Sequence, residues 1–229
     1  MGFYSKNSLR REIITTADGS TTIRIVDWEE QYHSKHGAIQ EAYHVFIAAG
    51  LSLFKGRTIS ILEMGFGTGL NAFITYLEAP ILDISISYLG VEAFPVASEE
   101  LARLNYISEL KAAAFSNDFI RMHEAPWEKT VSISERFSLY KMKEDFTNLQ
   151  FQDQFDLVYF DAFGARVQPE LWTETMFSKM FHSMTDNGVL VTYAAKGSVR
   201  RAMENVGFCV ERLPGPPGKR EMLRASKTT

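Results

Sequence analysis

One cysteine, Cys209, stands among the 229 residues. No internal disulfide can form, so stability must come from a packed core, and a reducing compartment is the simpler expectation. Long apolar runs are also missing. The longest, around residues 44–54, is far too short to span a bilayer, and the first 20 residues are polar and charged where a secretory signal would be apolar. The chain therefore reads as cytoplasmic, with no membrane contact. His, Cys and acidic residues do not gather at ligand spacing: His33 and His36 lie three apart in an irregular stretch, too little to predict a metal. No Ser occupies a nucleophile elbow, which removes Ser-His-Asp chemistry. Positive charge is not in excess either. A net charge of −4 argues against holding nucleic acid by bulk electrostatics. Its distribution is uneven, because from Lys196 onward eight basic residues face three acids.

What is present suits an α/β fold. With 45% hydrophobic residues the chain can bury a full core. Strand-like and helix-like segments alternate, which favours a mainly parallel sheet with helices on both faces. Seven strands are predicted at 59–63, 84–91, 136–142, 155–160, 188–193, 209–213 and 220–225. Helices are predicted over 40–53, 71–78, 170–182 and 198–205, with another opening at Pro95. Segment 105–135 reads as helical at first and then as an insertion without clear type. A strand at 21–28, after the Asp18-Gly19 turn, forms a hairpin extension. The expected division is an N-terminal extension, 1–55, packed on a core domain, 56–229.

The most informative segment is Ile59-Ser-Ile-Leu-Glu-Met-Gly-Phe-Gly-Thr-Gly-Leu-Asn71. An apolar strand runs to an acid, Glu63, and then into Gly65, Gly67 and Gly69. Glycine permits both a tight turn and close backbone approach by a ligand. A dinucleotide loop needs a different third spacing, G-x-G-x-x-G, and position 70 is Leu. The pattern E-x-G-x-G-x-G resembles the first motif of class I methyltransferases that bind S-adenosylmethionine. Acids also follow three further predicted strands: Glu92, the Glu144-Asp145 pair and Asp161. In open α/β sheets these positions line one crevice. A carboxylate at Glu92 suits two ribose hydroxyls. Asp161 suits the orientation and deprotonation of an amine nucleophile, or the capping of a helix near Pro169. Phe163 suits a cation, a stacked base or the core.

Three longer segments carry a more specific resemblance. Asp161-Ala-Phe-Gly-Ala-Arg-Val-Gln-Pro-Glu-Leu-Trp172, Leu190-Val-Thr-Tyr-Ala-Ala-Lys-Gly-Ser-Val-Arg-Arg201 and Gly218-Lys-Arg-Glu-Met-Leu223 resemble the methyltransferase domain of the MnmC family, as does the entry segment 32–46. The resemblance implies a Rossmann-like class I methyltransferase fold and N-methylation of 5-aminomethyl(-2-thio)uridine at the tRNA wobble position. It implies that Glu63, Gly65, Gly67, Gly69 and Asn71 hold the methionyl part of S-adenosyl-L-methionine, that Glu92 takes the ribose, that Asp145 lies by the adenine, and that Asp161 with Phe163 faces the amine. Candidates for the anticodon loop are Tyr32, Lys35, Arg166, Lys196, Arg200, Arg201, Lys219 and Arg220. The family pattern has Pro and Lys where this chain has Ala165 and Val167, which moves one expected basic contact to Arg166. A flavin-dependent oxidase domain does not fit in this length, so a stand-alone methyltransferase is expected, with the amine made by another enzyme. Two other readings stay open: a small-molecule amine methyltransferase or aminopropyltransferase on this fold, and a non-catalytic RNA-binding scaffold.

Overall fold

In the computed structural model, residues 9–228 are described; the first eight residues of the expected extension and Thr229 lie outside them. Strands β1 (Arg11–Thr15) and β2 (Thr21–Ile25) pair antiparallel around the Asp18-Gly19 turn, where Gly19 has φ +87° and Asp18 accepts from the Ser20 N–H at 3.1 Å. A single turn of 3-10 helix (Val26–Trp28) leads to β3 (Glu30–Gln31), which completes a small three-stranded sheet. The helix predicted over 40–53 is broken into three pieces: α1 (Ala38–Ala42), a wider π segment (Tyr43–Ala48) and a 3-10 turn (Leu51–Phe54). The last piece is set off at Gly50, where the chain is tightly packed. A Cβ on Gly50 would come within 2.7 Å of the Phe46 carbonyl oxygen and 3.1 Å of Val191, so the chain at this point is pressed onto its own helix and the sheet.

The main sheet is built from β4 (Thr58–Met64), α2 (Leu70–Glu78), β5 (Ser85–Val91), α3 (Ser98–Leu101), α4 (Tyr106–Glu109), α5 (Ser116–Glu124), β6 (Thr130–Ser134), β7 (Phe137–Met142), β8 (Phe155–Phe160), α6 (Glu174–Ser183), β9 (Met184–Thr192), α7 (Gly197–Asn205), β10 (Cys209–Pro214) and β11 (Glu221–Ser226). Strand order is β10-β11-β9-β8-β4-β5-β7-β6. Strands β7, β5, β4, β8 and β9 run parallel, and β11 is antiparallel to β9. All seven predicted strands are present. An eighth, β6, emerges from the insertion as an antiparallel edge partner of β7. Its Val131 and Ile133 alternate with polar residues, the period-two pattern of a half-buried strand. Pro95 does not open a helix: α3 begins three residues later, its start fixed by the Ala97 N–H donating to Glu100 at 3.0 Å.

Alternation along β4 separates two cores. Ile59 and Ile61 join Phe46, Phe73, Tyr88 and Tyr159 on the α2 face, while Leu62 and Met64 join Phe160, Trp172, Phe177 and Met203 under α6 and α7. The same alternation turns Glu63 to the α2 face, below the helix and away from open solvent.

Candidate active site

The order of the sheet reverses at β4, with β5 on one side and β8 on the other, which is where a doubly wound sheet leaves a crevice at its carboxyl ends. Beyond Met64 the chain turns at Gly65, φ +101°, where a Cβ would lie 2.9 Å from the Asp161 carbonyl oxygen. The N–H groups of Gly65 and Phe66 donate to the Val91 carbonyl at 3.0 and 2.9 Å, and the Asp161 N–H donates to that of Met64 at 3.1 Å. Three strand ends are thereby tied together. Above them lies a cavity of about 330 Å³, walled by the glycine loop, Glu92–Phe94, Asp145–Phe146 and Asp161–Gly164, and roofed by the small N-terminal sheet and residues 28–36.

Gly65, Gly67, Asn71, Glu92, Asp145, Asp161 and Phe163 all line this cavity, as do Tyr32, Lys35 and Lys219. Glu92 is nearly buried. Its two oxygens accept from the Gly67 N–H at 3.0 Å and the Phe94 N–H at 2.9 Å; burial raises its pKa and these two bonds act against the rise. Asp145 caps a short 3-10 turn, accepting from the Thr147 N–H at 2.9 Å. Gly67 leaves room for the Tyr32 ring, 3.0 Å from where its Cβ would sit. Phe163 meets Tyr32 and Trp28 edge-to-face, with ring centroids 5.1 and 5.6 Å apart, and its backbone carbonyl accepts from the Trp172 indole.

Other sequence candidates lie elsewhere. Glu63 does not line the cavity. It is buried on the α2 face beside Tyr88 and Asn71, and burial pushes its carboxyl well above the usual range, reinforced by Asp161 and Glu92. Gly69 also faces away, making room for His123, whose ring would lie 2.8 Å from a Cβ at that position. Arg166 turns back onto the roof, donating to the Trp28 carbonyl at 2.7 Å and pairing with Glu30 at 3.0 Å. Arg200 pairs with Glu204 one turn along α7. Lys196, Arg201 and Arg220 are exposed, outside the cavity lining.

Asp161 is electrostatically perturbed. Asn71 donates to its carboxylate at 2.8 Å. Burial raises its pKa well above the ordinary value and Glu41 adds to the rise, opposed by Asn71 and Lys219. Glu41 was not among the sequence candidates, yet it lines the cavity, nearly buried, accepting from the Ser34 N–H at 2.8 Å and pairing with Lys219. One signal pointed to it: a charged residue between Ala38, Ala42 and Val45 on the buried face of a helix. Tyr193, just past the end of β9, also lines the cavity and donates its hydroxyl to the Ala162 carbonyl at 2.9 Å.

The residues present fit S-adenosyl-L-methionine. The backbone of the glycine loop lines the cavity beside the Glu92 carboxylate, which suits ribose hydroxyls, and the carboxyl groups of Glu41 and Asp161 on the same cavity suit a sulfonium cation. The family model described as S-adenosyl-L-methionine-dependent methyltransferase matches residues 112–228. The chain belongs to that family. The methyltransferase is similar to the tRNA 5-methylaminomethyl-2-thiouridine biosynthesis bifunctional protein MnmC of Idiomarina loihiensis, at 30% identity over 86% of this chain and 35% of that protein. The counterpart in Hydrogenovibrio crunogenus is 28% identical over 93% and 33%. The chain thus spans about a third of the length of the curated relatives it matches. Among solved structures, MnmC2 of Aquifex aeolicus superposes with a TM-score of 0.75 at 27% identity, over 99% of this chain and 73% of that one. Spermidine synthase of Thermotoga maritima, at 0.61 and 12%, shares the fold. Together these mark the enzyme as an MnmC-like methyltransferase domain with S-adenosyl-L-methionine as its cofactor. Among the described residues no helix is long and apolar enough to cross a membrane, and no cluster of His, Cys, Asp or Glu is arranged to hold a metal.

Proposed function

We propose that this enzyme methylates the primary amine of 5-aminomethyl(-2-thio)uridine at the wobble position of tRNA, giving the methylaminomethyl form, in the cytoplasm. The observation that carries the reading is the part-buried carboxylate of Asp161, held by Asn71 at the end of β8 and lining a cavity shared with Trp28, Tyr32 and Phe163. Its context supports it, since likeness to MnmC2 runs along 99% of this chain.

When bound, the cofactor supplies an electrophilic methyl on a sulfonium. An alkylamine with a pKa of roughly 10 reaches the site as an ammonium with no lone pair. Asp161 binds that ammonium, accepts its proton directly or through water, and faces the positive charge that returns to nitrogen as the new bond forms. Asn71 fixes the carboxylate. Alignment of amine and methyl then supplies most of the rate. Gly65, Gly67 and Asn71 would hold the methionyl end, with Glu63 and Gly69 shaping the loop from beneath; Glu92 would take the ribose and Asp145 would lie by the adenine. Phe163, Tyr32 and Trp28 would receive a uracil turned out of the anticodon loop, which costs little in a single strand. Lys35 at the rim and the exposed Lys196, Arg201 and Arg220 are the candidates for phosphate contacts. Residues 9–55 act as an extension that roofs the core domain, and a separate enzyme supplies the aminomethyl precursor.

Transfer of labelled methyl to tRNA from cells lacking this protein, read by nucleoside mass spectrometry, tests the proposal. The expected result is conversion of 5-aminomethyluridine species by wild type and none by Asp161→Ala. Cofactor binding with no tRNA product would overturn it in favour of a free amine substrate.

A further inference from the structure

Along the cavity lining, two carboxyl groups stand near one ammonium. Glu41, on α1, Asp161, after β8, and Lys219, from the turn between β10 and β11, all line the cavity, and Glu41 pairs with Lys219. The two halves of the Glu41–Lys219 pair are not alike. The Glu41 side chain is only 8% exposed while that of Lys219 is 30% exposed, so the acid is locked inside and the lysine reaches in from the rim. The Lys219 ammonium lies 3.9 Å from the centre of the Tyr193 ring, a face that attracts cations. A bond from the Ser34 N–H at 2.8 Å fixes the other Glu41 oxygen. The Glu41 charge is met by Lys219, while no salt bridge among the described residues meets Asp161, whose carboxyl is left to a proton or to an incoming cation.

We propose that Glu41 and Asp161 form a seat for one further positive charge, the primary ammonium of the substrate, and that Lys219, held over the Tyr193 ring, tunes how strongly the seat draws it. The inference rests on the amine-methylating reading above and adds Glu41 and Lys219 as residues that determine specificity for a cation. A neutral hydroxyl in place of the amine leaves the cluster unbalanced and is rejected. Glu41→Gln keeps the shape and the Ser34 bond while removing one negative charge, so discrimination falls. Lys219→Met removes the competing cation, so discrimination rises. An ion pair that merely ties α1 to the β10–β11 turn would leave discrimination unchanged in both variants.

The test measures binding to the full chain, saturated with S-adenosylhomocysteine, of two anticodon stem-loop RNAs that differ only in 5-aminomethyluridine or 5-hydroxymethyluridine at the wobble position. Wild type is expected to prefer the amine by about 10-fold or more, the scale of a charged hydrogen bond. Glu41→Gln should bring the ratio to within about 3-fold, Lys219→Met should widen it, and Lys219→Arg should preserve it. An unchanged ratio in Glu41→Gln, or movement of the Gln and Met variants in the same direction, overturns the inference. Should wild type bind neither RNA, the tRNA reading falls, and the same comparison with the free nucleosides decides the seat: equal binding of the two refutes it, and preference for the amine sustains it. Lys219→Arg, which keeps the charge, guards against a Met variant that fails to fold.

Discussion

His123 should make the fold acid-sensitive by an amount that can be isolated. Its ring packs against Phe119 and Phe66, with centroids 4.5 and 6.0 Å away, and its Nε2 is buried without a partner beside Gly69. Burial first, and the nearby Lys141 ammonium second, push its pKa down to about 4. Unfolded, it titrates at about 6.5. A depressed folded pKa means that the unfolded chain binds the proton first, so this contribution to stability is full above about pH 6.5 and is lost as pH falls toward 4. Between about pH 7.5 and 4.5 the linkage amounts to about 2.5 kcal/mol, from two units at about 1.4 kcal/mol each less a small correction for partial titration in the fold. Urea unfolding of wild type and His123→Gln at both pH values measures it. The buried carboxylates and His33 titrate in both proteins and cancel in the difference. With an m-value of about 2–3 kcal/mol per M, the wild-type midpoint should fall by about 1 M more than that of the variant. Parallel falls within about 0.5 kcal/mol would refute the assignment of a neutral, desolvated His123.

Three further outcomes follow from the site. Asp161→Asn should lower kcat by about 100-fold or more with little change in cofactor affinity; because burial raises the Asp161 pKa, wild-type activity should climb with pH through a limb lying above the ordinary carboxylate range, and the Asn variant should lack that limb. Gly65→Ala forces a Cβ against the Asp161 carbonyl at φ +101°, so calorimetry should show cofactor affinity down about 10-fold or more, from about 1–3 kcal/mol of backbone strain. Glu92→Ala should weaken S-adenosylhomocysteine binding by about 10- to 100-fold, the worth of hydrogen bonds to a charged acceptor; unaltered calorimetric affinity would remove the ribose role.

Legibility in the sequence followed distance along the chain. The seven strands and the glycine loop are local patterns, alternation and backbone freedom, and residues 58–71 alone suffice to reveal β4 and the loop. The break at Gly50 was hidden because part of its cause is tertiary: Val191 of β9 lies 3.1 Å from where a Cβ would sit. Basic residues show the limit most clearly. Composition cannot tell a guanidinium that holds a roof, as Arg166 does through Glu30 and Trp28, from one exposed outside the cavity, as Arg201 is.

Glu41 is the sharper case. It lies 120 residues before Asp161 in the chain, and only the tertiary fold brings the two carboxyls and Lys219 onto one cavity. A strand-end rule finds Glu92 and Asp161 because parallel strands align their carboxyl ends by construction; it has no means of finding an acid delivered from the roof. A sequence reading of this enzyme therefore recovers the groups suited to the cofactor more fully than those suited to the amine. The cofactor half is built from consecutive β-α units, and the substrate half is assembled from the N-terminal extension and the last turn of the sheet.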